Sequence, residues 1–143
     1  MTTTIHAIAE ALQTRVETLG VNVVRAYDTP VTAAEAPSRG ASAQVRFLGR
    51  ERMSGCNQHA RFEVLVAVPA NDKEWPAAVE LLRSYLDVTG STSIEAAIEG
   101  DRTLGGVASD AVATGTDRER LVMYQDSLRW AAPVNVSVFY EGY

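Results

Sequence analysis

The sequence holds a single cysteine, two histidines and five prolines in 143 residues. A lone thiol, Cys56, cannot close a disulfide within the chain, so a disulfide-stapled scaffold is excluded and folding in a reducing, cytosolic setting fits best. No Cys and His are grouped at metal-ligand spacing, which removes the common zinc modules. Nowhere do eighteen apolar residues follow one another, and Met1 to Ile5 shows no basic segment leading into an apolar run, so neither a membrane span nor a signal peptide is expected. Positive charge is also scarce: the formal net charge is -5. Nonspecific grip on nucleic acid comes from clustered Lys and Arg, so a dedicated phosphate-binding surface is not expected, although a local basic patch is compatible with this balance.

What remains is an ordinary soluble composition, 46% hydrophobic and 22% charged, in a length that suits one domain spanning residues 1–143. Ile5, Ile8, Leu12, Val16 and Leu19 recur at helical spacing, with Thr4 placed to cap and Gly20 to stop, predicting a helix over 4–19. Val21 to Tyr27 is a short β-rich run, and Asp28 to Ala41, with Pro30, Pro37 and Gly40, reads as a long loop. Ala43, Val45 and Phe47 alternate with polar residues, and Phe62, Val64, Val66 and Val68 resume the alternation. These predict a hairpin whose tip, Gly49 to Asn57, is a long basic loop. A helix with Trp75, Ala78, Val79, Leu82 and Leu86 on one stripe follows Asp72 as a candidate cap, with Pro76 admissible only in its first turn. Ile94, Ala97 and Ile98 predict a shorter helix capped by Ser91 or Ser93 and ended by Gly100. Strands are then expected at Val107 to Thr114, Leu121 to Gln125 and through Val134, Val136, Val138 and Tyr140, with a turn at Gly115 to Asp117. The order predicts an α+β fold, an antiparallel or mixed β-sheet with two to three helices packed on one face.

Groups that might carry chemistry have plainer readings. His6 and His59 stand apart from any HxxxH or His-carboxylate spacing and read as structural. Cys56 lies three residues before His59, yet no oxyanion or orienting motif accompanies a Cys-His pair there. Gly105 and Gly106 precede a strand and lack the Lys-Ser or Lys-Thr of a phosphate loop, so they predict a turn at positive φ. Asp101, Asp110, Asp117, Glu119 and Asp126 read as strand ends and turns; nothing in their spacing brings two carboxylates together. No catalytic residue, metal site or cofactor is expected. Arg46, Arg50, Arg52 and Arg61 gather around the predicted hairpin, either as a solvated face or as a surface that docks on acidic neighbours. With Arg39 and Met53 nearby, and with Trp130 placed either to fill the core or to anchor a partner, they form the candidate interface.

Several longer phrases point the same way. "IHAIAEALQTRVETL", "VRAYDTP", "FEVLVAVPANDKEWPAAVELLRSYL", "SIEAAIEGDRTLGGVASDAVATG" and the final "VNVSVFYEGY" together cover Ile5 to about Tyr140. In combination they resemble the tail terminator (tail completion) proteins of long-tailed siphophages, with Ser93 to Gly115 the most diagnostic. The resemblance is least around Arg50 to Asn57 and Arg118 to Arg129.

This resemblance implies a virion structural protein that assembles in the host cytoplasm and catalyses nothing. It implies a homo-oligomeric ring, typically a hexamer, that caps the tail tube, stops its polymerisation and meets the head-completion or connector protein. DNA would pass through the lumen without specific binding. Six copies at -5 each would carry about thirty negative charges, which suits a conduit that must not hold its cargo. A head-tail connector of the neck is the nearest alternative, and a small α+β ligand-binding domain or enzyme is the alternative from another class.

Overall fold

The computed structural model describes residues 3–20, 22–24, 42–69, 75–124 and 127–142. Its order is α1 (Ile5–Glu17), β1 (Asn22–Val24), β2 (Ser42–Arg52), β3 (Asn57–Pro69), α2 (Trp75–Leu86), α3 (Ile94–Glu99), a 3-10 turn (Leu104–Gly106), β4 (Asp110–Thr116), β5 (Arg120–Tyr124) and β6 (Ser127–Glu141). The fold is α+β, as the sequence predicts. The sheet runs β1-β2-β3-β6-β4 with β5 also on β6; β1 and β2 are parallel and every other pairing is antiparallel.

The helices form where their caps and stripes predict. Thr4 accepts from the amide of Ala7 at 3.0 Å, and Ser93, the one of the two candidate serines that caps α3, accepts from Ala96 at 3.0 Å. Pro76 falls in the first turn of α2, where its missing N–H costs nothing. Ile8, Leu12 and Val16 of α1, Leu82 of α2, and Ile94 and Ile98 of α3 all pack onto one sheet face, against Val45, Phe62, Val64, Val66, Val134, Val136 and Val138. All three helices therefore share one core on one side of the sheet. Among the described residues no helix is long and apolar enough to cross a membrane. The loop predicted at 28–41, Val21 and residues 25–27 of the first predicted strand, and the proposed Asp72 cap lie outside the described residues.

The strands differ from the sequence prediction in three regions. β4 begins at Asp110, not Val107, because Thr103 accepts from both Gly106 and Ala108 and holds that stretch in a turn. β6 begins at Ser127, seven residues before Val134; alternation fails there because Ala131 and Ala132 are both buried and Pro133 intervenes. Pro133 also accounts for the gap between β4 and β5. Both strands line the same edge of β6, β4 against 134–139 and β5 against 127–131, so together they form one interrupted strand. Opposite the interruption the Pro133 carbonyl accepts from Asp117, but its ring nitrogen has no hydrogen to return. Asp117 to Glu119 is thus a step in a strand, where the sequence predicts a turn over 115–117.

The third difference is the hairpin. Its strands continue to Arg52 and restart at Asn57, so the predicted loop of nine residues shrinks to the turn Met53 to Cys56. Phe47 pairs with Phe62 and Gly49 with Arg61, leaving Leu48 as a bulge. The bulge shifts the inward-outward phase by one residue. Beyond it every residue from Arg50 to Asn57 is exposed, so no apolar alternation marks these residues as strand.

Candidate functional site

The hairpin beyond Gly49 is the most distinctive surface of the molecule. All eight residues from Arg50 to Asn57 are exposed. The turn closes through Asn57 N–H to the Ser54 carbonyl at 2.9 Å and Met53 N–H to the Asn57 carbonyl at 3.0 Å. On the other side β3 stays paired with β6 out to Asn57 opposite Glu141, and Gly142 N–H donates to the Cys56 carbonyl at 2.8 Å. A hairpin supported along its whole length by a third strand is a stiff arm, which two strands alone would not be.

Gly49 is central to its shape. Its φ of 148° lies where side chains are rarely tolerated, and a Cβ there would stand 3.1 Å from Nη2 of Arg61. The bulge thus lets the Arg61 side chain cross β2.

The predicted arginines separate into different roles. Arg46 is half-exposed and pairs with Glu63 at 3.1 Å across the strands. Arg50 donates to the Gln58 side-chain oxygen. Arg52, opposite Gln58 in register, and Arg61 are exposed. Met53 at the turn is 58% exposed, and Phe47 and Leu48 beside the bulge are 38% and 48% exposed. Trp130 is half-buried and packs against the hydrophobic core. Arg39 lies outside the described residues. The structure therefore gathers Arg46, Arg50, Arg52, Met53 and Arg61 on one arm and leaves Trp130 apart from it.

One constellation escapes sequence reasoning. His59 stacks on Phe139, with centroids 4.7 Å apart, and its Nδ1 lies 3.0 Å from a Glu51 carboxylate oxygen while its Nε2 lies 3.0 Å from Ser137 Oγ. The spacing carries one clue. If Met53 lies opposite Asn57 across a tight turn, Glu51 and His59 must face each other; the sequence prediction of a long loop hides that pairing. Ser137, on β6, enters only through the tertiary register. Cys56 takes no part, since it is exposed at the turn and the His59 ring is engaged elsewhere.

A serine, imidazole and carboxylate in line resemble a hydrolytic triad, but the surroundings differ. Ser137 sits inside a strand paired on both edges, opposite Arg61 of β3 and Val112 of β4, so the nearby amides belong to the ladder and none is aimed at a reacting oxygen. The hydrogen bonds join β2, β3 and β6 at the root of the arm.

Three of the carboxylates singled out in the sequence are each held by their own partners. The Asp110 carboxylate makes a two-toothed pair with Arg102 at 2.7 and 2.8 Å, which holds it below the usual range; Glu119, lowered likewise, is bound by Arg83 of α2. Asp101 accepts from the Thr103 hydroxyl at 3.0 Å and the Gly105 amide at 2.8 Å, and these bonds lower it as well. Asp126 is not described. Among the described residues no three of His, Cys, Asp and Glu stand close enough to hold a metal. On the sheet face opposite the three described helices an open cleft of about 320 Å³ is lined by Arg46, Glu63, Asp117 and Arg120 with Leu65, Ala131 and Pro133. Its lining sets two arginines beside two carboxylates. No protein-family model matches the chain, and no curated protein matches it.

Proposed function

We propose that this protein is a structural ring subunit of a long-tailed phage virion, a tail terminator that caps the tail tube and meets the head connector. The observation that carries the reading is the stiff arm, which exposes Phe47, Leu48 and Met53 among Arg46, Arg50 and Arg52. Apolar side chains presented rigidly among guanidinium groups suit a contact made once and kept. The phrases that resemble tail terminators also coincide with structural units: Ile5 to Leu19 with α1, Phe62 to Leu86 with β3 and α2, and Ser93 to Gly115 with α3, its turn and β4. On this reading the protein ends a stack by geometry, with subunits joined head to tail until they close.

The test is to mix the purified protein with its polymerising tail-tube protein and to image the products by negative-stain electron microscopy. Rings at one tube end with growth arrested are the expected result. Tubes that lengthen unhindered with bare ends overturn the reading, and binding to portal complexes would then favour the head-tail connector.

A further inference from the structure

The arm has two unlike faces. Register and alternation put Glu51, His59, Arg61 and Glu141 on one, and Arg50, Arg52, Gln58 and Ala60 on the other. On the first face Arg61 is accompanied by two carboxylates, of which Glu51 is already engaged by His59. The second face holds no carboxylate. Arg50 donates there to the neutral amide oxygen of Gln58, and among the described residues neither Arg50 nor Arg52 has an ion pair.

Arg50 is held ready for contact. Gln58 is 4% exposed, and its side-chain oxygen takes one of the five N–H donors of Arg50, which fixes the guanidinium and leaves its other donors unengaged among the described residues. Arg52 follows two residues along the same strand, so the two Cα atoms stand about 6.6 Å apart, the spacing of alternate residues on any extended chain. Exposed apolar side chains bracket the pair: Phe47 and Leu48 at the bulge before it and Met53 at the turn after it. Two guanidinium groups at this spacing complement carboxylates at alternate positions of an extended segment, each able to accept a two-toothed pair.

We infer that this face of the arm docks an extended acidic segment of a partner protein, with carboxylates at alternate residues seated on Arg50 and Arg52 and apolar side chains at its ends against Phe47 and Met53. A phosphate backbone is the other polyanion that arginines hold. Nucleic-acid contact surfaces are polar and strongly positive, however, whereas here exposed apolar side chains flank only two arginines in a chain of net charge -5. The inference deepens the ring reading, since it names the chemistry of a partner that the arm meets.

The probe is the peptide Leu-Thr-Glu-Thr-Glu-Thr-Leu, capped at both ends and titrated into the full chain by calorimetry and by amide NMR. Binding should saturate below about 1 mM at about 0.15 M salt and move the resonances of Phe47, Arg50, Arg52 and Met53 while those of the helices stay in place. The variant carrying Arg50→Gln and Arg52→Gln should bind about tenfold more weakly, and Arg61→Gln, on the other face, should bind as the wild-type chain does. Circular dichroism establishes that both variants are folded, and the wild-type shift map decides the matter by itself if the double variant is not. The same peptide with Lys in place of Glu should not bind. No saturable binding, equal binding of the lysine peptide, a shift map that avoids the arm, or tighter binding of a short DNA duplex overturns the docking face. Such a result with rings still capping tubes removes this inference alone; acidic-peptide binding with tubes that grow bare-ended removes the ring reading and keeps the docking face.

Discussion

Arg15, in the last turn of α1, donates from Nε to the Ala97 carbonyl of α3 at 2.8 Å, so one side chain closes the end of a helix distant in sequence. That carbonyl is among those the end of α3 leaves without a helical partner, and a guanidinium is the donor best suited to the negative end of a helix. The geometry depends on Gly100, where a Cβ would lie 2.8 Å from Arg15 Nη2 and 3.2 Å from the Ala96 carbonyl oxygen. Arg15→Ala should cost about 1–2 kcal/mol, the usual value for a charged donor discounted for partial exposure. Gly100→Ala should destabilise the wild-type chain more than it destabilises Arg15→Ala. A double-mutant cycle by urea unfolding measures the difference, and strictly additive effects would show that the two positions are not coupled.

A second prediction concerns the turn between α3 and β4. Leu104, Gly105 and Gly106 all have positive φ, at 52°, 72° and 95°. The sequence predicts this for the two glycines; the leucine is the surprise. Its side chain is 3% exposed, so burial holds it in a conformation that costs about 1–2 kcal/mol for a residue with a Cβ. A Cβ on Gly105 would meet nothing within 4 Å, so the cost of Gly105→Ala is that of the backbone alone, again about 1–2 kcal/mol. Gly105→Asn should recover part of it, because Asn tolerates the left-handed region. Thermal unfolding of the pair checks the order; equal losses would point to a packing effect instead.

The helices were legible because their signals are local. Thr4 and Ser93 cap as their positions predict, and the stripes from Ile8 to Val16 and from Ile94 to Ile98 face the core. The central stretches of β2 and β3 were legible for the same reason, since Val45 and Val64 to Val68 alternate over a buried face. Alternation reports burial on one side, so it fell silent where the ribbon is exposed on both sides, from Arg50 to Asn57. It was equally silent at Ala131 and Ala132, which are both buried. The arginine cluster was visible in the sequence. The bulge that shapes it and the ties from His59 to Glu51 and Ser137 depend on register, which spacing along the chain does not contain.

Acidification should unfold the protein through particular carboxylates. Hydrogen bonds from Arg83 to Glu119, from Arg102 to Asp110 and from Thr103 to Asp101 lower these three groups. A lowered folded-state value means that the contribution is complete above the unfolded value and is lost as pH falls through the folded one. Glu95 acts in the opposite sense: burial first, then the charge of Glu99 and a hydrogen bond with it, raise its value, so its ionised form weakens the fold at neutral pH. Glu95→Gln should therefore raise Tm at about pH 7 and lose that advantage below about pH 4, where the native carboxyl is protonated. Melting curves across this range decide it. A gain of the same size at every pH would assign the effect to packing.

The last prediction separates assembly from catalysis. Ser137, His59 and Glu51 stand in the order of a nucleophile, its base and an orienting carboxylate, at hydrogen-bond distances of 3.0 Å. Hydrolysis also needs donors aimed at the oxygen that becomes negative, and removing one such donor from an enzyme costs about 10²–10³ in rate. Here β6 is paired on both sides of Ser137, and its amides are committed to the sheet. The expected result is that Ser137 takes no label from a fluorophosphonate and that the wild-type chain hydrolyses p-nitrophenyl acetate no faster than Ser137→Ala. The same bonds should instead be visible mechanically. His59→Ala removes the ring stacked on Phe139 as well as both ties, so amide exchange should quicken along Arg50 to Asn57 while the helices keep their protection. A label on Ser137 that disappears in His59→Ala would reverse the assignment and make the root of the arm an active site.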